Sequence, residues 1–142
     1  VFGARVSTFG RAFHLWKGSI FVRRKEWALG GFLNGFRYAW RGIAVGARGR
    51  NFRVMLGVTG IVILLGYFLK ISTGEWGLVS LAVGLVLGLE LVNTAGEKLV
   101  DILSPGHDAR YGQVKDILAG AVLLAATAAT ALGVLIFGPR LF

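Results

Sequence analysis

Apolar residues run through this chain in three long blocks that follow two shorter periodic stretches. Phe2, Val6, Phe9, Phe13, Trp16 and Ile20 recur at alternating steps of four and three, so on a helix they form one apolar stripe about 80° wide. A second stripe combines Leu29, Phe32, Phe36, Trp40 and Ile43, and the opposite side carries Asn34, Arg37, Arg41 and Arg48. Both stretches read as amphipathic helices lying in the headgroup region of a membrane, with a soluble helical hairpin as the competing reading. The long blocks are of another kind. Val54–Leu69 holds no charge and is closed by Lys70, Gly77–Leu89 is apolar and continues as helix through Glu90, and Ile117–Phe137 is free of charge. A helix crossing the hydrocarbon needs about 20 residues. The pattern predicts an all-α integral membrane protein with three transmembrane helices at about 53–71, 76–97 and 117–137.

Composition agrees with that pattern. Of the 142 residues 55% are apolar, and the mean hydropathy is +0.68, above the usual range of a soluble domain. The 22 glycines suit helices that approach closely in a bilayer. No cysteine is present, which removes disulfides and thiolate metal sites. The first stripe is broken by Arg5, Arg11, His14 and Lys17 and lacks a small-residue cleavage pattern, so it does not read as a signal peptide.

The net charge of +9 is placed unevenly: residues 1–53 hold eleven of the sixteen Lys and Arg and a single acid, Glu26. A basic block can serve nucleic acid or an anionic lipid surface. Because this one leads directly into a membrane span, it favours the lipid surface and argues against nucleic acid. The same asymmetry predicts a cytoplasmic N-terminal segment, an outside turn at Lys70–Trp76, an inside segment at 98–116 and a C-terminus outside.

One stretch carries chemistry. Glu90, Asn93, Glu97 and Asp101 are spaced 3, 4 and 4 apart, so on a helix they share a polar stripe about 80° wide, with Thr94 at its edge. An acid near the bilayer centre costs about 2.5–3.5 kcal/mol on insertion scales. Three aligned acids therefore call for a wet cleft or a protein interior. The bland reading is an acid that glues two helices together. A second polar cluster, from Ser104 through His107, Asp108 and Arg110 to Lys115 and Asp116, precedes the third span. Lys115 is expected at the helix entrance, where an ammonium can meet a phosphate. Asp116 there is equally explained by the helix dipole, and His107 by an ordinary loop position. No Gly-x-x-x-x-Gly-Lys-[Ser/Thr] loop exists, so the chain is not a P-loop enzyme.

The series Glu90, Asn93-Thr94-Ala95, Glu97, Asp101, then His107, Lys115-Asp116 and Ala119-Gly120-Ala121-Val122 resembles the prokaryotic diacylglycerol kinase and undecaprenol kinase family. The likeness extends to Tyr38-Ala39-Trp40-Arg41-Gly42, Asn51-Phe52-Arg53 and Gly138-Pro139-Arg140. It covers residues 31–142, leaving 1–30 as a basic amphipathic extension, and its Asn-Thr-Ala form looks more like the undecaprenol kinase branch. The resemblance implies a homotrimer in the bacterial plasma membrane that phosphorylates a lipid alcohol with ATP and Mg²⁺. It implies Glu90 as catalytic base at the lipid hydroxyl, with Trp40 also on the substrate side. Glu97 would hold Mg²⁺, with Asn93 and Asp101 in support. Tyr38, Gly106, His107, Lys115 and Asp116 would contact the nucleotide. Two positions depart from the family pattern: Gly49 stands where members carry a second metal-binding glutamate, and Gly31 where they carry an ATP-contacting arginine. Undecaprenol is the expected acceptor. The alternatives are diacylglycerol, or a catalytically weak or inactive membrane relative.

Overall fold

A computed structural model describes residues 29–104, 106 and 108–141. The stripe expected from Phe2 to Ile20 lies outside these residues, as does His107. Among the described residues the chain is all helical: α1 at Leu29–Gly46, α2 at Arg50–Phe68, α3 at Thr73–Leu103 and α4 at Ala109–Leu141. The chain divides after Gly42 into two compact units, and the second, residues 43–142, contains α2, α3 and α4. In the first unit Tyr38 and Trp40 are exposed on α1.

Helices α2, α3 and α4 are each long and apolar enough to cross a membrane. At 1.5 Å rise per residue the 31 residues of α3 span about 46 Å and the 33 of α4 about 50 Å. Both exceed the roughly 30 Å hydrocarbon thickness, so at least one end of each helix projects into the headgroup layer or beyond. All three helices begin earlier than the apolar blocks suggest. Arg50 and Arg53 occupy the first turns of α2, and α4 starts six residues before Lys115. The expected helix entrance at Lys115 and Asp116 is therefore corrected: both sit about two turns into α4. Asp108 sets the true start, because its carbonyl accepts from the Tyr111 and Gly112 amides and its carboxylate accepts from the Arg110 amide.

The buried apolar core lies at the end where α2 turns into α3. Ile71, Val79, Ile136 and Phe137 form it, with Val62, Leu65, Leu69 and Trp76 packed around. The turn is tight. Lys70 adopts φ 50°, and the Ile71 amide donates back to the Gly66 carbonyl. Ser72 and Glu75 then start α3 with a reciprocal capping box, in which the Glu75 carboxylate accepts from the Ser72 amide at 2.7 Å and the Ser72 hydroxyl from the Glu75 amide at 3.3 Å. A Cβ at Gly66 would stand 2.8 Å from the Trp76 ring, so glycine allows the indole to close the turn. Arg140 near the end of α4 joins this end by a 2.8 Å ion pair to Glu75. Tyr67, Phe68 and Trp76 place an aromatic group here, as membrane–water interfaces favour.

Candidate functional site

At the other end of the three-helix unit, α3 passes a short turn between α1 and α2. That turn is made by backbone hydrogen bonds from Ala47 to Ile43, Arg48 to Val45 and Gly49 to Gly46. Gly46 is buried because the Leu91 side chain fills the space that a Cβ would need. The close approach presses the turn onto α3 and leaves a cleft of about 540 Å³. Arg48, Gly49, Arg50 and Asn51 line one wall; Glu90, Thr94, Glu97, Lys98 and Asp101 line the other. A larger opening of about 580 Å³ lies among α2, α3 and α4, but side chains such as Met55, Val83 and Phe137 line it and no titratable group does. The titratable side chains therefore gather at the smaller, polar cleft.

The acidic stripe is graded along α3. Glu90 is only 3% exposed and Asn93 4%, whereas Glu97 is half-buried and Asp101 exposed. The Asn93 amide nitrogen donates to Glu97 Oε1 at 3.0 Å, which orients that carboxylate. Its own oxygen, Oδ1, is buried with no partner, an arrangement that calls for a further donor. Asp101 is committed: its Oδ1 accepts from Lys115 Nζ at 2.6 Å, tying α3 to α4. Gly96 permits that approach, since a Cβ there would run into Leu118 of α4.

The structure thus brings Glu90, Glu97 and Asp101 onto one cleft, with Asn93 oriented toward Glu97. Lys115 reaches this group through Asp101 without lining the cleft, and Asp116 is exposed on α4 away from it. Gly106 is an exposed loop residue whose carbonyl accepts from the Ser104 hydroxyl at 3.0 Å. In the same loop Arg110, with its guanidinium 2.8 Å from the Asp108 carboxylate, holds that carboxyl below its usual range. Tyr38 and Trp40 belong to the first unit. Lys98 was not singled out by the sequence pattern. It follows Glu97 directly, about 80° around the helix from Glu90 at 100° per residue, which puts it on the rim of the acidic stripe.

Among the described residues no cluster of three or more His, Cys, Asp or Glu forms a ready-made metal cage. The donor set nevertheless suits a hard cation that keeps most of its ligands from water and phosphate. Glu97 offers one oriented carboxylate at the cleft, and Mg²⁺ is commonly held by one or two carboxylates plus substrate phosphates.

Residues 37–137 match the sequence profile described as prokaryotic diacylglycerol kinase. The chain is 37% identical over 111 residues to an undecaprenol kinase of Bacillus subtilis (strain 168), a match that covers 78% of this chain and 90% of that protein. It is also 36% identical over 115 residues to a diacylglycerol kinase of Synechocystis sp. (strain ATCC 27184 / PCC 6803 / Kazusa), covering 79% of this chain and 66% of that protein.

Proposed function

Because the chain belongs to the prokaryotic diacylglycerol kinase family and is by that membership a multi-pass membrane lipid kinase, we propose that it transfers the terminal phosphate of ATP to the hydroxyl of undecaprenol, with diacylglycerol as the alternative acceptor. The observation that carries this reading is the pairing of a buried Glu90 with a half-buried, oriented Glu97 on one cleft of a membrane-spanning helix. Seven residues of helix separate them by about 10 Å along the axis, so Glu90 faces the lipid side and Glu97 the aqueous side.

Phosphoryl transfer asks a protein for positioning and charge stabilisation more than for covalent chemistry. The lipid oxygen bonds to the terminal phosphorus as the bridging bond to ADP breaks, and the hydroxyl proton passes to Glu90. Glu97, steadied by Asn93, would hold Mg²⁺, which would supply neutralisation of the phosphate charge. The resemblance adds Tyr38, Gly106, His107, Lys115 and Asp116 as nucleotide contacts and Trp40 as a lipid contact, and of these Lys115 and Asp116 do not line the cleft of the single chain. The basic segment meets anionic lipid at the cytoplasmic face, and the C-terminus lies outside. The assembly is a homotrimer. Gly84 and Gly88 support it, because on this chain alone the space where their Cβ atoms would stand is open, leaving room for a close helix partner.

Gly49 favours one refinement. It lines the cleft and adds no carboxylate, so Mg-ATP is held weakly. The test of the whole reading is transfer of radiolabelled phosphate from ATP to undecaprenol, diacylglycerol or ceramide by purified protein in mixed micelles. Labelled undecaprenyl phosphate is the expected product, and transfer to ceramide alone would refute the assignment.

A further inference from the structure

The Gly138-Pro139-Arg140 motif at the end of α4 takes no part in the proposed chemistry, yet its arginine is built into a fixed contact. Arg140 donates to the Ile136 carbonyl of its own helix at 2.5 Å and to Glu75 Oε2 at 2.8 Å. Glu75 is fixed in turn by its capping box with Ser72. A second pair, Lys115 on Asp101 at 2.6 Å, ties the same two helices at the opposite end. Twenty-six residues separate the two acids along α3 and twenty-five the two cations along α4, so both ties demand one antiparallel register. Among the described residues no ion pair or side-chain hydrogen bond joins α3 to α4 between these ends. The seam of α4 that carries Leu118, Val122, Ala125, Ala129, Leu132 and Ile136 repeats at steps of four and three, so a slide by one turn brings apolar onto apolar again. The hydrophobic effect does not oppose that slide in a bilayer, because lipid tails are as apolar as the seam. Leu118 seated over Gly96 resists it at one point.

A slide of one turn toward Glu75 would carry Lys115 from the level of Asp101 to that of Glu97, four residues earlier on the same stripe. The ammonium would then neutralise the carboxylate assigned to Mg²⁺. We propose that Glu75 and Arg140 are positioning residues for the site at the opposite end of the spans. Their tie holds α4 in the register that keeps Lys115 on Asp101 and leaves Glu97 open to a cation. Lys115 has three donors on its ammonium, so it keeps Asp101 and still has donors for phosphate. The role of Glu97 rests on the kinase reading; the register does not.

The chain has no cysteine, so the register is measured with spin labels on Leu99→Cys and Leu124→Cys, both at exposed positions. The labelled chain is diluted into unlabelled copies, so that only the distance within one chain is read. Glu75→Gln removes the charge of the pair and keeps the capping box, which glutamine also completes. Arg140→Gln removes the tie from the other side. In both variants a population appears in which the label distance is longer by up to about 5 Å, the rise of one helical turn. The Mg²⁺ concentration for half-maximal phosphate transfer rises several-fold, while the rate at saturating Mg²⁺ falls less. Lys70→Gln, at the same end of the spans, removes a charge but no tie and leaves both readouts unchanged. Wild-type distances in both glutamine variants would overturn the proposal, even with lower thermal stability, since a merely stabilising pair gives that result. A longer distance with an unchanged Mg²⁺ midpoint would overturn the positioning role, and an equal shift in Lys70→Gln would reduce the effect to net charge. Longer distances in a protein that transfers phosphate to no lipid alcohol would refute the kinase reading and leave the register standing. Transfer with unshifted distances would do the reverse.

Discussion

Glu90 and Glu97 are the same residue type on the same face of one helix, and their surroundings differ in the way the proposed roles require. Glu90 is enclosed by α3's neighbours, whereas Glu97 is open enough to keep a cation and its waters. Replacing Glu97 by alanine is therefore expected to raise the Mg²⁺ concentration for half-maximal rate by about tenfold or more. The apparent lipid affinity should change less than about twofold, because lipid binding does not use the metal. A Mg²⁺ titration that superimposes on wild type would remove Glu97 from the metal. Gly49 is the complementary case. Its backbone, at φ −65° and ψ 140°, accepts any L-residue, and an added Cβ would stand 3.1 Å from the Gly46 carbonyl oxygen. Gly49→Glu therefore needs a shift of a few tenths of an ångström and brings a carboxylate to the cleft wall. The expected result is a lower KM for Mg-ATP in a titration of both forms in one detergent. An unchanged KM would show that the wall at residue 49 does not face the metal.

At the level of elements, α3 and α4 depend on glycine where they approach each other beside the site. Leu118 occupies the space above Gly96. Gly96→Val should force the helices apart, destabilise the protein by about 1–3 kcal/mol and loosen the Asp101–Lys115 pair. Denaturant unfolding in micelles checks this, with partial rescue expected from a second change, Leu118→Ala. Full stability of Gly96→Val would mean that the contact is not tight. The three spans and the acidic stripe were readable in advance because each follows from local periodicity. Uncharged runs of hydrocarbon length mark the helices, and steps of three and four align Glu90, Asn93, Glu97 and Asp101. The cleft wall at Arg48 and Arg50 is not readable in that way. Arg48 and Arg50 looked like part of a basic block facing lipid, and they reach the cleft only because the Gly46–Gly49 turn is pressed onto α3 by Leu91. The early start of α4 was hidden for a similar reason. Asp108 caps it with a polar turn, and an apolar run cannot report where a polar first turn begins.

Over the whole molecule, apolar side chains face outward along all three spans: Leu64, Leu81, Leu124 and Leu135 are all largely exposed in the single chain. Lipid or further copies of the protein must cover such a surface. The core and the Arg140–Glu75 pair hold one end of the spans, while the polar cleft occupies the other. On the proposed function, this separation puts catalysis at one membrane face. It also makes the central claim, that Glu90 accepts the lipid hydroxyl proton in an ATP-dependent transfer, open to a direct test. The measurement is the rate of radiolabelled phosphate transfer to undecaprenol by wild type and Glu90→Gln, each reconstituted in vesicles and checked for the same oligomer by crosslinking. Glutamine keeps the shape and hydrogen bonding of the side chain but cannot take the proton, so the rate should fall about a hundredfold or more with the oligomer intact. A Glu90→Gln rate within about tenfold of wild type would contradict the assignment of Glu90 as the base.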